Sequence, residues 1–103
     1  MIELGGNIKL AGFNDIEPMK LIVVKKMVGT YAKKISDNLS EFQELSLHLK
    51  PIHDNPDKDD NIKCELQAKL IIDGKPFNSE ITDYNLFFAI DKVLARLMEE
   101  VRK

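Results

Sequence analysis

Residues 62–82 read IKCELQAKLIIDGKPFNSEIT, and this stretch decides the fold. Cys64, Leu66, Ala68 and Leu70 alternate with Lys63, Glu65, Gln67 and Lys69. A period of two puts the two sets on opposite faces of one strand. Asp73-Gly74 then supplies a two-residue hairpin turn, and KPFNSEIT returns as a shorter strand. Upstream, FQELSLHLKPI at 42–52 repeats the alternation, with Leu45, Leu47 and Leu49 on one face and Glu44, Ser46, His48 and Lys50 on the other. The polar connection HDNPDKDDN joins it to the hairpin, so three antiparallel strands form a meander with one apolar and one polar face.

Two amphipathic segments flank the meander. In the first, NDIEP at 14–18 offers Asn14 and Asp15 as caps, Glu17 as an early acid and Pro18 in the first turn. Val24, Met27, Val28, Tyr31 and Ile35 follow at helical spacing, with Lys26 and Lys33 opposite and an end near Asp37-Asn38. Gly29, inside this helix, lowers its propensity by about 1 kcal/mol relative to Ala. The second segment, TDYNLFFAIDKVLARLMEEVRK at 82–103, is capped by Thr82 or Asp83. At about 100° per residue its core stripe is Leu86, Ile90, Val93, Leu94, Leu97 and Val101. Asn85, Phe88, Lys92, Ala95, Arg96, Glu99 and Lys103 lie opposite, so an aromatic stands among cations.

Residues 1–13 complete the pattern as one strand, with Gly5-Gly6 as a bulge or bend. The predicted architecture is a single α+β domain, residues 1–103, of order β-α-β-β-β-α. Both helices pack on the apolar face of a four-stranded sheet. The first strand pairs in parallel with a neighbour through a helical crossover, or lies at the edge. The two helices then sit side by side, and their outer faces form one surface bearing Lys20, Lys26, Lys33, Lys92, Arg96 and Lys103.

Composition narrows the function classes. The chain has 103 residues, 44% hydrophobic and 31% charged, which is one ordinary globular domain. No apolar run approaches the roughly 20 residues needed to span a bilayer, so no membrane partner is expected. The first ten residues lack a basic stretch followed by an apolar one, and no signal peptide is expected. One cysteine, Cys64, excludes an internal disulfide and fits a reducing, cytoplasmic setting. The net charge of −2 argues against a general nucleic-acid coat protein. Charge is nonetheless segregated. Residues 17–37 carry five lysines against Glu17 and Asp37, a net +3, whereas 54–60 carry four aspartates against Lys58, a net −3.

Catalysis, metals and cofactors find no support in the motifs. His48 faces outward from a strand, His53 begins a loop, and neither has a nucleophile–base partner. Cys64 alternates with leucines and reads as a small core residue. Asp57, Asp59 and Asn61 share the spacing of a calcium loop. Ile62 and Ala68, however, occupy the positions where that loop requires glycine and glutamate. A double-stranded-RNA-binding domain would put lysines at the start of the last helix, where this chain has TDYNLFF.

The stretch SEITDYNLFFAIDKVLARLMEEVRK at 79–103 resembles the end of the ribosome hibernation-promoting factor family, also called ribosome-associated translation inhibitors. The likeness lies in Phe87, Phe88, Ala89, Ile90 and Asp91, then Arg96-Leu97 and Arg102-Lys103, together with the element order and length. It differs at Gly12-Phe13, where the family tends to Gly-Arg, at Phe88, where it prefers a small residue, and at Glu99, often basic there. The resemblance implies a non-enzymatic cytoplasmic factor that docks on the small ribosomal subunit, binds ribosomal RNA and inhibits translation. Lys26, Lys33, Lys92, Arg96 and Lys103 would then meet phosphates, with Phe88 stacking or wedging. The alternative is a protein-interaction or self-associating module of the same fold without ribosome binding. A homodimer would then use Phe88, Phe13 and an exposed edge strand.

Overall fold

The computed structural model describes residues 2–39, 41–53 and 62–102. Its elements are β1 (Ile2–Leu4), β2 (Ile8–Ala11), α1 (Pro18–Asn38), β3 (Glu44–His53), β4 (Ile62–Ile72), β5 (Lys75–Asp83) and α2 (Leu86–Arg102). They form an α+β domain with one mixed sheet in the order β1-β2-β3-β4-β5. The acidic stretch 54–60, with Asp57, Asp59 and Asn61 of the calcium comparison, lies outside the described residues.

The sheet has five strands where four are predicted. Gly5 and Gly6 both take positive φ, 66° and 82°, so the chain reverses there instead of bulging. The predicted single strand is thus a hairpin of Ile2–Leu4 and Ile8–Ala11, with Ile2 opposite Leu10 and Leu4 opposite Ile8. β2 runs parallel to β3, Ile8 beside Leu45 and Leu10 beside Leu47, and α1 makes the crossover. The β3–β4–β5 meander follows the predicted register, Leu47–Ala68–Ser79 forming one row across it. At the tight turn Asp73 and Gly74 have φ of 52° and 76°, the positive values that a type I′ turn requires. Gln43 fastens that turn: its Oε1 accepts from Gly74 N at 2.6 Å, and its own N donates to Ile71 O at 2.7 Å.

β3 continues through Pro51 to His53, so His53 ends a strand rather than starting a loop. β2 pairs only with residues 45–48 of β3, so proline at 51 falls on a stretch with no β2 ladder to break.

One face of the sheet carries Ile8, Leu10, Leu45, Leu47, Leu49, Leu66, Ala68 and Leu70, all buried. Val24, Val28, Ala32 and Ile35 of α1 complete this core with Ala89, Ile90, Val93, Leu94, Leu97 and Met98 of α2. α2 lies over β4 and β5, with α1 beside it. Ser79, in a core-facing row, donates from Oγ to the carbonyl of Val93 at 2.7 Å and so ties β5 to the middle of α2. The opposite sheet face is polar, in rows such as Lys9–Ser46–Lys69–Asn78.

Phe13 belongs to the core and is 0% exposed, so it cannot serve the interface predicted for it. Gly12 explains the burial. Its φ is +82°, and a Cβ there would collide with the carbonyl oxygen of Leu49. The chain leaves β2 pressed against β3, which turns the Phe13 ring inward.

Candidate nucleic-acid interface

The helix layer carries the predicted site residues. α1 begins at Pro18 after Glu17, and no side chain caps it, so neither Asn14 nor Asp15 acts as predicted. α2 is capped by Asn85, one of its predicted polar-face residues. Asn85 Oδ1 accepts from Phe88 N at 3.0 Å, and Asp83 Oδ1 accepts from Asn85 N at 3.1 Å. These two short side chains satisfy donors that the helix start leaves orphaned. The cap lies two or three residues beyond the predicted Thr82 or Asp83, and Asp83 supports it.

Phe88 stands on the outer face of α2 at 61% exposure, as the helical phase predicts. Lys26 and Lys33 are exposed on α1, and Lys92 and Arg96 on α2. Lys103 lies outside the described residues.

Their neighbours sort these cations into two groups. Lys26 lines a groove of about 320 Å³ between the helices, with Val23, Met27, Thr30, Tyr31, Lys34 and Asp91. Tyr31 closes its floor by donating from Oη to Asp91 Oδ1 at 2.7 Å. Burial and this bond to a carboxylate push the Tyr31 phenol up to about 12. The Lys34 ammonium lies 5.1 Å from the Tyr31 ring centre. Lys33 sits on the outer side of α1.

Lys92 and Arg96 belong to the other flank of α2, which leans toward β5. Lys92 Nζ lies 3.3 Å from Asp83 Oδ2. Hydrogen bonding from the Asn85 backbone, then the Lys92 ammonium, holds the Asp83 carboxyl below the usual aspartate range. Arg96 Nη1 donates to the Glu80 carbonyl across a long 3.5 Å. Around it, Glu80, Glu99 and Glu100 line one hollow, so the field beside Arg96 is mixed in sign. The crest between the groups carries Phe88, Ala95 and Glu99.

On the open sheet face the Glu80 carboxyl is raised, chiefly by hydrogen bonding with the Glu65 carboxyl. Cys64 is half-buried against the core, and its thiol is raised, chiefly by desolvation. Among the described residues no group of three or more His, Cys, Asp or Glu side chains is placed to hold a metal ion. No helix in them is long and apolar enough to cross a membrane.

Fold and surface together define a small α+β domain whose paired helices display cations and one bare aromatic. Solved structures share this fold, two of them as follows. One is a ribosomal subunit interface protein from Coxiella burnetii, 14% identical, with a TM-score of 0.65 over 93% of this chain and 91% of that one. The other is the N-terminal domain of Protein Y from Thermus thermophilus, 18% identical, with a TM-score of 0.53 over 92% of each. At these identities the likeness is one of fold. No protein-family model matches the chain, and neither does any curated protein.

Proposed function

We propose that the protein is a cytoplasmic, ribosome-associated factor that binds ribosomal RNA on the small subunit and restrains translation by occupancy, without catalysing a reaction. The observation that carries this reading is the fold, shared over nine-tenths of both chains with a protein named for the ribosomal subunit interface. The terminal-helix resemblance and the exposed cations of both helices support it. Lys26, Lys33, Lys92, Arg96 and Lys103 meet phosphates, and Phe88 offers a flat face to an unstacked base. Because Lys92 already holds Asp83, its contact with a phosphate exchanges one anion for another and yields less than a contact from Lys33.

Co-sedimentation with ribosomes and with separated subunits tests the proposal. Pelleting with the small subunit that falls as salt rises supports it; no pelleting at low salt removes it. Lys26→Glu/Lys33→Glu and Lys92→Glu/Arg96→Glu should each weaken pelleting while leaving the circular dichroism of the dilute protein unchanged. A second reading, self-association, draws on the exposure of Phe88. It requires a concentration-dependent dimer that is insensitive to salt and lost in Phe88→Ala.

A further inference from the structure

The outer side of α1 has a feature that phosphate binding leaves unused. Met19, Ile22 and Val23 are 71%, 53% and 42% exposed. Their spacing of i, i+3 and i+4 makes them one contiguous apolar patch on the first turns of α1. Val23 also lines the interhelical groove, which carries the apolar surface on through Met27 to Tyr31. Lys20, Lys25, Lys26 and Lys34 border the whole, each of them exposed.

Chemistry discriminates among the occupants such a surface could take. Branched aliphatic and thioether side chains present no flat face on which a base could stack, and phosphates need only the lysines. A second copy docked through the same patch would bring these lysines against their own equivalents. A protein segment that combines apolar anchors with carboxylates satisfies both the patch and its rim. From Met19 to Lys34 the surface runs for 15 residues at about 1.5 Å each, roughly 22 Å, the length of a four-turn helix.

We infer that the N-terminal half of α1 and the groove beside α2 dock an acidic amphipathic helix of a partner protein, its apolar side chains on Met19, Ile22, Val23 and Met27 and its carboxylates among the lysines. The flexible Met19 and Met27 side chains let the surface conform to anchors of different shape. This site uses a different patch from Phe88 and Lys92; it shares only Lys26 with the proposed phosphate contacts, and its apolar anchors are not among them.

The test is a nuclear magnetic resonance titration of the isotope-labelled protein with a 16-residue synthetic helix bearing leucines at i, i+3, i+4 and i+7 and glutamates beside them. Saturable shifts centred on Met19, Ile22, Val23 and Met27 are expected. The double variant Ile22→Gln/Val23→Gln, whose positions are exposed and whose folding is checked by circular dichroism, should bind about tenfold more weakly. A peptide with lysines in place of the glutamates should not bind. The proposal is overturned if the acidic peptide leaves these residues unshifted, or if the double variant binds it as well as the parent. It is equally overturned if the same residues respond instead to oligouridylate, to anionic phosphatidylglycerol vesicles, or to protein concentration alone.

Discussion

At the scale of single residues, Gly12 and Tyr31 make the sharpest demands. Gly12→Ala needs an L side chain at φ +82° and a Cβ where the Leu49 carbonyl already stands. β2 and β3 must part to admit it, so a loss of about 2–4 kcal/mol is expected in denaturant unfolding. Gly29 is the opposite case. It lies exposed within α1, and a Cβ there would meet nothing within 4 Å. Gly29→Ala should therefore stabilise by about 1 kcal/mol through helix propensity alone. Tyr31 bridges the helices to Asp91, and its phenol, about 12, lies above the ordinary value of 10.0. A raised phenol favours the folded state at pH values below the ordinary one and ceases to do so as pH climbs through the folded value. Tyr31→Phe should abolish that part of the alkaline loss of stability, which pH-dependent thermal melts will show.

At the scale of elements, the start of α2 is the part most exposed to test. Asn85→Ala removes the acceptor of Phe88 N and should destabilise by about 1 kcal/mol. Asp83 acts in the same place with a lowered carboxyl. A lowered carboxyl contributes stability above its unfolded value and loses it as pH falls through the folded one. Acidification below the usual aspartate range should thus loosen the first turn of α2, and Asp83→Asn should blunt that dependence. Amide hydrogen exchange at Phe88 reports both.

The elements also show what the sequence makes legible. Strict alternation placed β3 and β4, because a slip of one residue would turn every leucine to water. Helical phase alone exposed Phe88. The segment TDYN, in contrast, contains three residues able to accept at a helix start, Thr82, Asp83 and Asn85, and only the exit angle of β5 selects Asn85. A glycine pair serves a bulge as readily as a turn, which hid the β1–β2 hairpin. Phe13 read as free because its burial comes from the approach of β2 to β3, a long-range contact. Likewise, nothing local shows how the two helices are rotated about their axes. That rotation sets Asp91 toward Tyr31 and turns Lys92 and Arg96 toward β5.

For the whole molecule, the consequence of this rotation is a divided electrostatic surface. One cation group belongs to α1 and the interhelical groove. The other flanks β5 among carboxylates, on a chain whose net charge is only −2. Each phosphate neutralised in a complex with ribosomal RNA steepens the salt dependence by about 0.7–0.9 in the logarithmic slope. Charge reversal at Lys26 and Lys33 should flatten that slope more than reversal at Lys92, whose charge Asp83 already offsets. Equilibrium binding to small subunits across a salt series measures the difference.

β5 closes the sheet on one side, and among the described residues no further strand pairs with the backbone groups of its outer margin. Such a margin invites another chain to extend the sheet. Arg96 reaches over it to the Glu80 carbonyl, and Pro76 near the beginning of the strand offers no N–H to a newcomer. The guanidinium is in this sense a sentinel against polymerisation as well as a proposed phosphate contact. Arg96→Glu withdraws the sentinel along with the charge, and the variant is expected to form strand-linked oligomers on concentration that Lys92→Glu does not.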